Sequence, residues 1–463
     1  MEGVVYMEEI VGKLRSFFAS GETLPLAWRK TQLEALRDML TRESKALEAV
    51  LHEDLGKPSH ESWLTEIGFM QHEISHVLKH LSNWMKPRRV PTPFFLSPAK
   101  SRLCPIPRGL ALVISPWNYP LQLTLSPLVA SLAAGNVTLL KPSEYAPATS
   151  RWLHDNLPRC LDARGVAVIE GAAQETQALL THPFDIIFFT GSGQIARHIA
   201  RAAAEHLTPT VLELGGKSPC VVMHTQHLET AARRIAFAKF INAGQTCVAP
   251  DYILVEEKLK EPLIEALKRA IIEQFGPENA PRAMTRIIHR RHFERLASLL
   301  GHGETCLFGG KHEIDSLRFS PTLIGLTDPN HPVMQEEIFG PILPILSLTS
   351  SDAMAEAMTR IAIHPTPLAC YLFSDSKQDY QRLQKHVQAG GMVHNDALMH
   401  LSNVHLPFGG IGTSGHGASH GEAGFLAFSH LQSNLLNTLS IDMPLRYPPY
   451  SPRTWRWLKR LMR

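Results

Sequence analysis

Five short apolar runs between residues 110 and 214 constrain this chain more than any other feature. They are Leu110–Ser115, Val137–Lys141, Val166–Ile169, Ile186–Thr190 and Thr210–Leu214, punctuated by Gly, Pro or Asn. Helix-like stretches such as Ala196–His206 lie between them. Strands alternating with helices imply a parallel sheet joined by right-handed crossovers. The same texture returns with Tyr252–Val255, Lys258–Gln274 and Leu346–Leu348, so the fold class is α/β. Ahead of this region, residues 27–86 read as helix, with Leu33, Leu36, Leu40, Leu47 and Leu51 at helical spacing. A Pro-rich stretch from Pro87 to Pro107 favours an extended excursion. A polar, glycine-containing loop cluster runs from Gly390 to Gly424.

Composition narrows the function classes. At about 150 residues per domain, 463 residues suggest two or three domains. A formal net charge of +3, with no basic stripe carrying interleaved aromatics, calls for no nucleic-acid partner. The six cysteines are scattered, with no CxxC pair, which suits reduced thiols in a cytoplasmic protein. The N-terminus lacks the basic start and apolar run of a signal peptide. No segment has the roughly 18 consecutive apolar residues of a membrane span. A soluble, cytoplasmic protein is the expectation.

Several short motifs carry chemistry. In Phe189-Thr-Gly-Ser-Gly-Gln-Ile-Ala196 a strand-like run leads in and a helix-like run leads out. Glycines there let a phosphate approach the backbone at a helix N-terminus, although a plain strand-to-helix turn has the same form. The generic dinucleotide fingerprint would make Glu213, about 20 positions on, a ribose ligand. Its setting in Leu212-Glu-Leu-Gly-Gly suggests instead a partly desolvated carboxyl suited to a general base, or simply an edge-strand acid. Cys247 follows Gly-Gln-Thr, where a helix N-terminus or backbone amides would lower its pKa; a lone cysteine is more often inert. Asn118, in Pro116-Trp-Asn-Tyr-Pro120, is either an oxyanion donor or a turn residue before proline. Lys141 and Glu144 suit a ribose diol or are solvated loop charges. Of the 24 histidines, His400, His405, His416 and His420 cluster in sequence. They lack an HExxH frame or a Cys partner, so no metal site is expected.

Taken in order, these pieces resemble the aldehyde dehydrogenase superfamily. The series is Pro116–Pro120, Lys141–Glu144, Phe189–Ala196, Leu212–Pro219, Gly244–Cys247, Glu336–Pro341 and Pro407–Gly415. The likeness runs from about residue 20 to about residue 450. Leu207-Thr-Pro-Thr, Lys217-Ser-Pro-Cys220, Cys247-Val-Ala-Pro-Asp-Tyr252, His394-Asn-Asp396, His420-Gly421 and Arg446-Tyr-Pro-Pro449 resemble its class-3 branch of fatty and aromatic aldehyde dehydrogenases. The resemblance implies a Rossmann-like NAD(P)-binding domain (1–86 and 104–210), an α/β catalytic domain (211–422) and a small β bridging segment for oligomerisation (87–103 and 423–445). A basic C-terminal tail (446–463) completes the chain.

It also implies roles. Cys247 would be the nucleophile and Glu213 the general base, overriding the ribose reading. Asn118, with the Cys247 backbone N–H, would form the oxyanion hole. Lys141 and Glu144 would face the adenosine ribose, and Glu337 and Phe339 the nicotinamide end. Trp117, Thr190, Gly191, Ser192, Gly193, Ala196, Leu214 and Gly215 would complete the cofactor contacts. Relatives usually carry Gly at the place of Ala196 and a smaller residue at that of Gln194, which puts the pyrophosphate turn in question. The implied reaction oxidises a medium- or long-chain aliphatic, or an aromatic, aldehyde to its acid through a Cys247 thioester. The cofactor is NAD or NADP, with NAD favoured because Glu144 would repel a 2′-phosphate.

Two other readings remain open. A CoA-acylating or acyl-reducing relative would pass the acyl group to another nucleophile, against which Glu213 argues. A non-catalytic binding protein on this scaffold is the other, against which the intact Cys247, Glu213 and Asn118 argue. A homodimer is expected, through the Pro87–Pro107 excursion and residues 425–445. In the tail, Trp455, Leu458 and Met462 would share one helical face. Arg456, Lys459, Arg460 and Arg463 would share another, a pattern that suits peripheral membrane contact through residues 453–463. The alternative is a helix that caps the substrate mouth or packs on a partner subunit.

Overall fold

The computed structural model describes residues 2–277, 284–442 and 446–461. Residues 443–445 of the second bridging segment, and Met462 and Arg463 of the tail, lie outside the described residues.

All five apolar runs are strands of one sheet. Its order is Gly415–His416, Thr210–Leu214, Ile186–Gly191, Leu110–Ile114, Val137–Lys141, Val166–Val168. The five longer strands are parallel and Gly415–His416 is antiparallel to its neighbour. Strand order reverses beside Leu110–Ile114, whose neighbours are Val137–Lys141 and Ile186–Gly191. A reversal of this kind opens a crevice beyond the carboxyl ends of the strands. Those ends lead into Pro116–Asn118 on one side and Thr190–Ser192 on the other.

A second, seven-stranded sheet has the order Thr305–Phe308, Thr322–Leu326, Ile342–Leu348, Tyr252–Glu256, Pro219–Val222, Ala369–Phe373, Gly391–His394. Two of its strands were read from the sequence. Ile342–Leu348 begins four residues before the expected Leu346, because Pro344 masked its first half. Proline removes a ladder donor and so argues against a strand, yet Pro344 pairs in register with Ile324. The division between sheets also differs from the expected 210/211 boundary. Thr210–Leu214 pairs with Ile186–Gly191, so the first sheet runs through Leu214 and the second starts at Pro219.

A third sheet is antiparallel: Arg88–Val90, Lys100–Pro107 and Ser429–Leu436. Ser429 faces Pro107 and Leu436 faces Lys100, so the Pro-rich excursion and the late segment pair within one chain.

The helical stretch 27–86 comprises Leu26–Arg42, Ser44–Leu55, Ser59–Ser62, a π-helical turn Trp63–Ile67, and Gly68–Trp84. Gly56, at φ 62°, stops the second helix in the left-handed region that favours glycine. Leu33, Leu36, Leu40, Leu47 and Leu51 are fully buried, in one cluster with the Gln122–Ala134 helix. A further helix, Glu2–Ala19, was not read from the sequence. It lays Met7, Val11, Leu14 and Phe17 on the other face of the first sheet. Pro452–Leu461 is helical with Trp455 and Trp457 exposed. Among the described residues no helix is long and apolar enough to cross a membrane.

Candidate active site

The site forms where the strand ends of the two sheets face each other. Asn118, four residues beyond the Leu110–Ile114 strand, is buried. Its Nδ2 donates to the Gln245 carbonyl at 3.0 Å, and its own carbonyl accepts from Asn242 Nδ2 at 2.8 Å. Cys247 sits on a turn after the 3-10 segment Ile241–Gly244. Asn242, Ala243 and Gly244 all have positive φ, at 54°, 52° and 72°. Such a conformation costs about 1–3 kcal/mol per non-glycine residue and persists only where the surroundings enforce it. Here Glu61 accepts the Asn242 N–H at 2.8 Å. The Gln245 side chain bridges to Arg286 O at 2.9 Å and to the Ile288 N–H at 3.0 Å. Tyr119 Oη lies 2.6 Å from Thr246 Oγ1.

Glu213 is the fourth residue of Thr210–Leu214 and is 3% exposed. Its Oε1 accepts from Ser419 Oγ at 2.5 Å, and its Oε2 from Thr190 Oγ1 at 3.4 Å. Burial pushes its carboxyl up to about 7, against these two bonds and with help from the charge of Glu73. Cys247 departs from expectation. No helix begins at it, and burial, with the Glu337 and Glu213 charges, pushes its thiol well above the ordinary value. The Cys247 and Val248 backbone N–H groups oppose that and lose.

One cleft brings most of the expected residues together. Its walls include Trp117, Asn118, Thr190, Gly191, Ser192, Glu213, Leu214, Gly215, Cys247, Glu337 and Phe339. A second cavity is apolar and includes Phe69, Tyr119, Leu123, Phe237, Leu398 and Phe408, again with Cys247. The cysteine therefore stands where the two meet.

Four expected residues are not in the cleft wall. Lys141 is buried at the end of its strand, with Nζ on the Pro142 and Gly171 carbonyls at 2.9 and 2.6 Å and 3.6 Å from Glu144 Oε2. Gly193 opens the Gly193–Glu205 helix; a Cβ there would meet nothing within 4 Å. Ala196 is the correction. It is 2% exposed and faces the core between helix and sheet, not the cleft. Its methyl therefore leaves the glycine turn undisturbed, and Gln194 points to solvent.

Other supporting residues had no usable signal in the sequence. Asp251 takes the Lys217 ammonium at 2.6 Å on one oxygen and the Ile338 N–H at 3.0 Å on the other. Arg295 holds the Glu337 and Ile338 carbonyls. His292 Nε2 lies 2.8 Å from the Phe339 carbonyl oxygen. Together they fix the segment carrying Glu337, whose carboxyl burial pushes up to about 8, and Phe339, at φ 52°. Trp117 meets the Phe339 ring edge-on at 5.5 Å. Gln245 and Asp251 lay inside recognised motifs without a role; Glu61 and Arg295 lie far from them or lacked a pattern. Of the four late histidines, His416 bonds Thr210, while His405 packs on His76 and shares a cavity wall with His420. Among the described residues no group of three or more His, Cys, Asp or Glu is placed to hold a metal ion.

The model of the aldehyde dehydrogenase family matches residues 6–434. The chain belongs to this family. It is 43% identical over 440 residues to the 4,4′-diaponeurosporen-aldehyde dehydrogenase of Staphylococcus aureus, covering 94% of this chain and 95% of that protein. It is 42% identical over 465 residues to aldehyde dehydrogenase family 3 member H1 of Arabidopsis thaliana, covering 99% and 96%. The solved substrate-bound state of Staphylococcus aureus AldH superposes with a TM-score of 0.95 at 40% identity, over 98% of this chain and 99% of that one. These relatives place it in the class-3 branch. As an aldehyde dehydrogenase it carries out NAD(P)-dependent oxidation of an aldehyde, on the aldehyde dehydrogenase fold.

Proposed function

We propose that this aldehyde dehydrogenase converts apolar aldehydes, medium- or long-chain aliphatic or aromatic, to carboxylic acids through a thioester on Cys247. The observation that carries the reading is the position of Cys247, shared by an apolar cavity and by the cleft that holds Asn118, Glu213 and Glu337. Apolar walls recover transfer free energy from a hydrocarbon substrate, about 25 cal/mol per Å² buried, and leave its carbonyl at the sulfur.

The donor chemistry of the cleft suits a nicotinamide dinucleotide. Lys141 and Glu144 offer a cation and an acceptor to a ribose diol. The open backbone at Gly193 and the helix behind it suit a pyrophosphate. Thr190, Gly191, Ser192, Leu214 and Gly215 wall the middle, and Trp117, Glu337 and Phe339 the nicotinamide end. Ala196 would serve by packing the helix on the sheet. Glu144 disfavours a 2′-phosphate, so NAD is the preferred form. When bound, the cofactor supplies the acceptor for the hydride that the aldehyde carbon gives up.

The protein's own groups do the rest. Cys247 sulfur attacks the carbonyl carbon as its thiol proton leaves to solvent water in the cleft. The developing oxyanion takes the second Asn118 Nδ2 hydrogen and the Cys247 N–H, a donor of this kind being worth roughly 10²–10³ in rate. Glu213, near half-ionised at pH 7, accepts a proton from the water that attacks the thioester. Sulfur leaves the acyl carbon and the acid is released. That base favours hydrolysis over transfer to CoA.

The chain works as a homodimer in this reading. Ser429–Leu436 is an edge strand with Leu431, Leu435 and Leu436 exposed, and such edges call for a cover. The Pro452–Leu461 helix, with its exposed tryptophans and cations, makes peripheral contact with an anionic membrane. Six free thiols suit the cytoplasm.

A steady-state panel of aldehydes with NAD and NADP, with and without CoA, tests the reading. Apolar aldehydes should give NADH and free acid whether or not CoA is present. Cys247→Ala should abolish aldehyde-dependent NADH; retained turnover would refute the nucleophile.

A further inference from the structure

A buried ion pair stands directly behind the oxyanion donor. Lys57 and Glu66 have fully buried side chains, with Nζ 2.5 Å from Oε1. Stability alone is a poor reason for such a pair, because apolar residues of similar volume often serve a core equally well or better. Its polar atoms converge instead on one loop, from Asn118 to Gln122. Lys57 Nζ lies 3.5 Å from the Asn118 carbonyl oxygen and 4.4 Å from the centre of the Tyr119 ring. Glu66 Oε2 accepts the N–H groups of Leu121 and Gln122 at 2.9 and 3.2 Å. These two open the Gln122–Ala134 helix. N–H groups there lack an intrahelical acceptor, and the helix dipole favours a carboxylate.

Local structure explains why both charges face this loop. Lys57 directly follows Gly56, where the Ser44–Leu55 helix stops. Glu66 lies in the π-helical turn Trp63–Ile67, whose hydrogen bonds run from i to i+5. Five residues before it, Glu61 also faces inward and takes the Asn242 N–H at 2.8 Å. Trp63 and Leu64, between the two carboxylates, are exposed. On an unbroken α-helix, residues five apart stand about 140° apart round the axis. The wider turn brings Glu61 and Glu66 to one side. A single short stretch thus holds both parts of the oxyanion hole. Glu61 holds the turn that carries Cys247, and Lys57 with Glu66 holds the loop that carries Asn118.

We propose that Lys57 and Glu66 are positioning residues for carbonyl addition, fixing the Asn118 loop so that the free amide hydrogen meets the developing oxyanion. The proposal rests on Asn118 being the oxyanion donor. Asn118 Nδ2 is held at the Gln245 carbonyl oxygen, so the aim of its second hydrogen follows the backbone at residue 118. That backbone is held at its carbonyl from two directions, by Asn242 Nδ2 at 2.8 Å and by the Lys57 ammonium. Glu66 sets the ammonium and, through its other oxygen, anchors the far end of the loop. Tyr119, beneath the ammonium, reaches Thr246 Oγ1 at 2.6 Å, one residue before Cys247. A misplacement of about 1 Å in such a constellation costs on the order of 10²-fold in rate.

Two reactions of Cys247, both run without cofactor, separate positioning from general damage. Acylation by p-nitrophenyl acetate passes through an oxyanion and releases a burst of nitrophenol. Alkylation by iodoacetamide displaces iodide at a saturated carbon and forms no oxyanion. Lys57→Met/Glu66→Gln removes both charges together, so no unpaired charge is left inside. It should slow the burst about 10- to 10²-fold and leave the rate of inactivation by iodoacetamide within about a factor of two. In an Asn118→Ala background the same changes should slow the burst by less than about twofold more, because a donor already absent cannot be misplaced. If the double variant fails to fold by circular dichroism, Glu66→Gln carries the same readouts, since a buried Lys57 can shed its proton. An unchanged burst, an equal fall in the iodoacetamide rate, or losses that multiply with Asn118→Ala would each overturn the positioning role. An unimpaired burst in Asn118→Ala alone would overturn the oxyanion reading on which that role stands.

Discussion

Asn118 Nδ2 donates to the Gln245 carbonyl oxygen at 3.0 Å, tying the end of a strand in the first sheet to the turn that carries Cys247. The bond uses one amide hydrogen and fixes the direction of the other. Asn118→Ala should therefore lower kcat by about 10²–10³, with a smaller change in KM. Stopped-flow NADH formation checks it; a kcat within a factor of two of wild type would remove Asn118 from the oxyanion hole.

The Glu213 carboxyl, raised to about 7 by burial, predicts a basic limb in the deacylation rate. The rate should rise through pH 7 and level off above it, because only the ionised form accepts a proton. Glu213→Gln should lose that limb along with turnover.

The same shift has a stability consequence. A carboxyl with a raised folded-state pKa favours the fold fully below its unfolded value of 4.5, and that contribution is lost as pH rises through 7. At pH 8 the buried charge disfavours the fold by on the order of 3 kcal/mol. Glu213→Gln should thus melt higher than wild type at pH 8, with the gap closing towards pH 5. A gap independent of pH would contradict the assignment.

Lys217 and Asp251 are both about 4% exposed and 2.6 Å apart. Removing one partner leaves the other charge buried and unpaired, which costs about 3–5 kcal/mol. Lys217→Met should lower denaturant stability by that order. It should also weaken cofactor binding, since Asp251 anchors Ile338 beside Glu337. Urea titration and NAD fluorescence titration read the two effects.

Deleting residues 451–463 removes the helix that exposes Trp455 and Trp457. Full-length protein should co-sediment with phosphatidylserine vesicles at low salt and be released at high salt, and the truncated form should stay in solution. Equal behaviour of the two would end the membrane proposal.

The first sheet was legible because strands covered on both faces are continuous apolar runs. Where that rule was broken, reading failed: Pro344 hid half of Ile342–Leu348. The boundary at 210/211 fell inside a strand because Thr210–Leu214 reads the same whichever sheet it joins. Ala196 looked like a disturbed phosphate turn, and the fold turns its methyl into the core. Arg295 and Glu61 gave no signal, since each acts through backbone groups more than 40 residues away.

By itself the sequence determined the order of motifs, and with it the family, the nucleophile candidate and its companions Asn118 and Glu213. Chemistry-bearing residue types and their spacing are local properties that a chain displays before it folds. Only the tertiary structure decided their electrostatics. The thiol expected to have a low pKa is held high by desolvation and by the charges of Glu337 and Glu213, and Glu213 owes its raised pKa to burial and the Glu73 charge, against the Ser419 bond. Desolvation depends on what the whole fold packs around a group, which no local stretch of sequence records.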